Sequence, residues 1–109
     1  MGFESIVSGE GTFQEFGFGL RFKEVADRIQ CCDGVSLSVQ AGKHLYCTPR
    51  SDYGPYTAVE VGFPSASPPE SWRGYFDGDW DTEDHCSSVY SRVPVEMVRE
   101  FIEAHGGEK

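Results

Sequence analysis

Hydrophobic and polar positions change period several times along this chain, and each change marks a candidate element. Val35, Leu37 and Val39 alternate with Ser36, Ser38 and Gln40, the cleanest two-residue period present, and predict a half-buried strand. Ala41-Gly42-Lys43 reads as a hairpin loop into a second strand, His44 to Thr48. Tyr56 to Phe63 gives a third strand, with Thr57, Val59 and Val61 on one side, and Ser87 to Val93 a last one. Phe16, Phe18, Leu20 and Phe22 also alternate, although Gly17 and Gly19 weaken that strand. From Phe22 the period lengthens. Phe22, Val25, Ala26 and Ile29 fall at i, i+3, i+4 and i+7 and predict a short helix, ended by Asp33-Gly34. Pro94 suits the first residue of a second helix running to about Ala104. Val95, Val98 and Ile102, with Met97 and Phe101 beside them, give it a broad apolar face, and Gly106-Gly107 supplies a left-handed stop.

The remaining segments are irregular or ambiguous. Residues 1–15 read as an irregular arm holding at most one short strand, and Pro64 to Pro69 as a stiff surface loop. Glu70 to Trp80 is rich in aromatics but broken by Gly74 and Gly78, and a short strand around Trp72–Phe76 is expected there. The sum is one α+β domain over 1–109: an antiparallel sheet of about four to five strands, a C-terminal helix and a short N-terminal helix, in two layers.

Charge narrows the function. The chain has 109 residues, 9 Lys+Arg against 18 Asp+Glu, and a formal net charge of −9. A surface this acidic lacks the clustered cations that nucleic acid or an anionic membrane requires, so neither is expected as a direct partner. No signal-peptide pattern and no long apolar run is visible, which points to a cytoplasmic location. Cys31, Cys32, Cys47 and Cys86 are too few for a disulfide scaffold and read mostly as small buried hydrophobes.

The acids are not evenly spread. Five of the eight residues from Asp77 to Asp84 are acidic and none is basic: Asp77, Asp79, Asp81, Glu83 and Asp84. Three readings compete. The first is a solvated loop. The second is a calcium loop, but after Asp77, Asp79 and Asp81 the pattern breaks, because Thr82 stands where glycine and Ser88 where glutamate is needed. The third is an anionic surface for a basic partner. In extended backbone, alternate carboxylates lie roughly 7 Å apart, close to the spacing of phosphates along a strand. Trp72, Tyr75 and Trp80 would add aromatic anchors to such a surface.

Chemistry beyond binding is thinly supported. His44, Cys47, His85 and Cys86 with Cys31-Cys32 could supply zinc ligands, but no Cys-x-x-Cys knuckle is present. Asp84, His85 and Cys86 are neighbours in sequence, whereas catalytic triads converge from separate elements. No nucleophile elbow, phosphate-binding loop or dinucleotide fingerprint occurs. No metal, cofactor or catalytic residue is therefore assigned, and the chain is expected not to be an enzyme.

The segment Val89-Tyr90-Ser91-Arg92-Val93-Pro94-Val95 through Phe101-Ile102-Glu103-Ala104-His105-Gly106-Gly107 resembles the ending of many small phage and prophage proteins. Those close with a strand, a Val-Pro step, an amphipathic helix and a His-Gly-Gly stop. A small acidic chain of this origin resembles anti-defence proteins, anti-CRISPR proteins above all. The resemblance implies a non-enzymatic inhibitor that binds a basic, nucleic-acid-handling host protein or ribonucleoprotein complex through a phosphate-mimicking surface. The rival expectation is an accessory or structural phage protein with a soluble acidic surface, assembling as a homodimer through its sheet edge.

Overall fold

The computed structural model describes residues 2–9, 13–16, 20–23 and 26–109, with 13–16 and 20–23 defined by their backbone. In chain order the elements are α1 (Phe3–Ser8), β1 (Phe13–Phe16), β2 (Leu20–Lys23), β3 (Ile29–Gln30), β4 (Ser36–Gln40), β5 (Ala58–Gly62), a 3-10 helix (Glu70–Tyr75), β6 (Val89–Pro94) and α2 (Val95–Ala104). β1 and β2 form an antiparallel pair, and β3-β4-β5-β6 form a four-stranded antiparallel sheet in sequence order. This is the α+β architecture expected from the pattern.

Cross-strand register explains the core. Ile29 faces Leu37, Val39 faces Val61, Val59 faces Val93, and Val61 faces Tyr90. All seven side chains are buried, so one face of the sheet is a continuous apolar surface. Phe3 and Ile6 of α1, Trp72 of the 3-10 helix and Val95, Val98, Phe101 and Ile102 of α2 belong to the same core. Tyr90 and Val93 are an odd number of residues apart and would point to opposite faces of a regular strand. A bulge solves this: Glu60 opposes both Ser91 and Arg92, and Arg92 adopts φ 51°.

α2 follows its sequence pattern closely. Pro94, expected as its first residue, instead closes β6 and stands immediately before the helix, and the end of α2 is a Schellman turn in which the Gly106 N–H reaches the Glu103 carbonyl and the Gly107 N–H that of Ile102. The two glycines have φ of 91° and 85°, a region that disfavours side chains.

Several expectations fail for local reasons. The N-terminal helix lies at Phe3–Ser8, inside the supposed irregular arm, and Phe3 and Ile6 are core residues. No helix forms across Ala26 to Gln30. There the Gln40 side chain takes both backbone groups of Ala26, at 2.8 Å each, and Ile29 joins the sheet. Phe16, Leu20 and Phe22 belong to two paired strands rather than one; residues 17–19 and Val25 lie outside the described residues. His44 to Thr48 is a chain of turns that meets β5 through a bridge between Thr48 and Ala58 and through the Tyr46 N–H on the Glu60 carboxylate, so β4 pairs with β5 instead. His44 is consequently an exposed loop residue, and Thr57 lies exposed before β5 begins.

Both outer edges of the four-stranded sheet are covered. Phe76 bridges Tyr90, the Asp77 N–H reaches the Val89 carbonyl, and the Arg92 N–H reaches that of Tyr46. At the other edge Cys31 bridges Glu108, and the Lys109 N–H reaches Gln30. Among the described residues, backbone contacts thus occupy part of each outer edge, where a strand-to-strand dimer would have to pair. Among the described residues no helix is long and apolar enough to cross a membrane.

Candidate functional site

The acidic residues occupy one loop between the 3-10 helix and β6, closed at its base. The Asp77 N–H bonds the Val89 carbonyl at 3.0 Å, and the Ser88 hydroxyl donates to the Asp77 carbonyl at 2.9 Å. Above the base the chain coils. The Asp79 carbonyl accepts the N–H of Thr82 and of Glu83, and the Asp79 carboxylate accepts the Asp81 N–H at 3.0 Å. Asp84 repeats the device, accepting the Cys86 N–H at 2.9 Å. The expected extended row with alternate carboxylates at phosphate spacing is thus replaced by a compact turn. Aspartate favours this outcome because its short carboxylate bonds backbone two residues on.

Asp77, Asp79, Asp81, Glu83 and Asp84 are all exposed. Only Asp81 has an ion pair among the described residues, with Arg73 at 2.5 Å, and Arg73 also approaches Glu70 at 3.8 Å. Gly78, at φ 147°, lies against the Glu83 carboxylate, and a Cβ there would collide with it.

His85 anchors the loop to the rest of the fold. One ring nitrogen, Nε2, lies 2.7 Å from the Trp80 carbonyl, and the other, Nδ1, 2.7 Å from the Ser67 hydroxyl. A carbonyl only accepts, so Nε2 carries the proton and, in the neutral ring, Ser67 donates to Nδ1. The imidazole stacks on Trp80 with centroids 3.5 Å apart, and Phe76 meets Trp80 edge-on. The Tyr90 hydroxyl donates to the His85 carbonyl at 2.7 Å. An aromatic stem thus holds an acidic head.

The aromatic anchors are redistributed. Trp72 is only 2% exposed, packed between Tyr90 and Phe101, and is a core residue rather than a surface contact. The structural reason is the 3-10 helix that replaces the expected strand at Trp72–Phe76: entered from Pro69, it turns Trp72 inward. Tyr75 and Trp80 are half-buried against the core. The exposed aromatic beside the loop is Phe63, 51% accessible, whose N–H bonds the Ser88 carbonyl at 3.1 Å. Its φ of 46° turns the ring outward at the end of β5, and Arg28 donates to its carbonyl at 2.7 Å. Sequence gave no signal for this, since an aromatic at a strand end is ordinarily buried.

The other chemical candidates separate. Among the described residues no three His, Cys, Asp or Glu side chains gather as metal ligands, so the partial calcium-loop spacing does not converge on one point. Cys31 and Cys47 are buried, and the Cys47 thiol sits among the Gly42 and Pro49 carbonyls. Burial, and then the nearby Asp84, push the Cys86 thiol up, away from thiolate. Its neighbour His85 has both nitrogens engaged elsewhere. A cavity of about 390 Å³ lies between the 67–72 segment and α2, lined by Trp72, Met97, Phe101 and His105 among others, but by neither Cys47 nor Cys86.

Comparison with family models, with curated proteins and with solved structures finds no match to this chain.

Proposed function

We propose that this chain is a phage-type inhibitor of the anti-CRISPR kind that works by binding: its acidic loop enters a basic groove of a nucleic-acid-handling host complex and keeps nucleic acid out. The observation that carries this reading is a loop with five exposed carboxylates in eight residues, of which only Asp81 is ion-paired among the described residues, on a closed aromatic stem. Like charges at this density repel one another, and a cationic partner relieves that repulsion. The internal turns hold the carboxylates before contact, so little ordering remains for the moment of binding. Phe63 beside the loop supplies an apolar anchor of the kind that dominates interface energy, the role first assigned to Trp72. The mimicry is of a compact anionic cluster rather than of a linear phosphate row.

The experiment is inhibition of nucleic-acid binding by the target complex, measured with wild type and with Asp77→Lys/Asp79→Lys. Reversal of two steering charges is expected to weaken inhibition by more than about tenfold, with most of the loss in association rate at low salt. Phe63→Ala should lose affinity mainly through faster dissociation. Inhibition by the double reversal equal to that of wild type would rule out the acidic loop as the contact surface.

A further inference from the structure

We propose that Tyr46, Arg50 and Arg92 form a second binding site, specific for a phosphoryl group. The first ground is an inversion of the charge pattern. Acids outnumber bases two to one in this chain, and Arg73 and Arg99 each hold two carboxylates. Yet the guanidinium groups of Arg50 and Arg92 make no hydrogen bond or ion pair among the described residues. Both turn instead to one exposed tyrosine, with Cζ 5.9 Å and 5.6 Å from the Tyr46 ring centroid. The neighbouring acids are used otherwise: Asp52 holds Lys43, and Glu60 accepts the Tyr46 N–H at 3.1 Å.

The second ground is how this cluster is built. Tyr46 is 48% exposed but fixed at both backbone groups, its N–H on Glu60 and its carbonyl on the Arg92 N–H at 2.9 Å. Arg92 stands in the β6 bulge at φ 51°, a left-handed conformation that side chains other than Asn or Asp seldom adopt. Without the bulge its N–H would not serve Tyr46.

The chemistry follows from the geometry. A guanidinium attracted to a ring through its face keeps its N–H donors around the rim. Two such forks thus lie within 6 Å of the centre of one ring that also carries a phenol hydroxyl. A carboxylate is satisfied by a single fork. A phosphate monoester carries about two negative charges and three terminal oxygens, and it matches two forks plus a hydroxyl. The overall negative charge of the chain and the adjacent Glu60 repel a long polyanion more than a compact headgroup, which favours a small phosphate ester or one phosphorylated side chain over a nucleic-acid strand. The site uses no residue of the acidic loop and stands independently of that reading.

The test is titration of the full chain with phenyl phosphate, with a phosphoserine peptide, with glutarate and with a single-stranded oligonucleotide, followed by calorimetry and by the arginine Nε–H NMR signals. Both phosphate esters are expected to saturate one site, and tighter binding of the peptide would identify a phosphorylated protein as the source. Arg50→Ala and Arg92→Ala should each weaken binding by about tenfold or more. Tyr46→Phe, which preserves the platform, should weaken it less. Glu60→Gln, which keeps an acceptor for the Tyr46 N–H, should tighten it. The proposal is overturned if glutarate or the oligonucleotide binds as tightly as phenyl phosphate. It is equally overturned if neither arginine variant changes the affinity, or if nothing saturates below about 10 mM.

Discussion

Trp72 is enclosed by Tyr90 and Phe101, with both ring centroids 5.4 Å away, whereas Trp80 lies half-exposed over His85. Truncating the first leaves a large void in the middle of the core, so Trp72→Ala should cost about 3–5 kcal/mol in urea unfolding. Trp80→Ala should cost much less and act chiefly on the acidic loop, detectable as faster amide exchange at Asp81 to Cys86. The sequence pattern offers both indoles alike as surface anchors. What separates them is the phase of one 3-10 helix, which a strand-like reading of an aromatic-rich segment cannot supply. Tyr90 gives a second residue-scale test. Burial, with Cys86 and Asp84 nearby, pushes its hydroxyl up to about 12 from an ordinary value near 10. A raised folded-state value contributes stability that is complete below pH 10 and is lost as pH rises from 10 towards 12. Alkaline unfolding should therefore fall in that interval, and Tyr90→Phe should show a shallower decline there.

Elements with a strong period and matching end signals were legible. β4 and α2 are examples, because alternation or a 3.6-residue stripe coincides with the residues that face the core. The acidic segment was legible as a loop but not in its shape, since the Asp79 and Asp84 caps that coil it compete with extended backbone only once the loop base is closed. β6 was legible as a strand but not as a bulged one, since two-residue alternation cannot show that Tyr90 and Val93 share a face. The helix expected at 22–29 failed because Gln40, distant in sequence, satisfies the Ala26 backbone. Distant pairing also joins the end of α2 to the turn before β4. His105 Nδ1 lies 2.7 Å from Asp33, and the Cys32 N–H bonds the Gly107 carbonyl. The Val35 N–H, and next His105, hold the Asp33 carboxyl below its usual 3.8. A lowered value gives a contribution present above that usual value and lost as pH falls through the folded one. Asp33→Asn should therefore loosen this clasp at neutral pH and leave stability less dependent on pH below about 4, as read from urea midpoints between pH 3 and 7.

Across the whole molecule, the charge is carried unequally. Residues 70–108 hold ten acids and three arginines, while Arg50 and Arg92 sit together on Tyr46. Self-repulsion at this density destabilises the compact state and is screened by salt. The thermal midpoint at neutral pH is therefore expected to rise with sodium chloride. Asp77 bears directly on whether the loop is kept for folding or for a partner. Its carboxylate has no hydrogen-bonding or ionic partner among the described residues, so folding gains nothing local from its charge. Asp77→Lys should raise the midpoint at low salt, narrow the difference between low and high salt, and at the same time weaken inhibition of the target complex. That combination is the signature of a charge retained against stability for the sake of contact. If Asp77→Lys instead lowers the midpoint at low salt, the loop's negative charge serves the fold, and its density no longer argues for a basic partner.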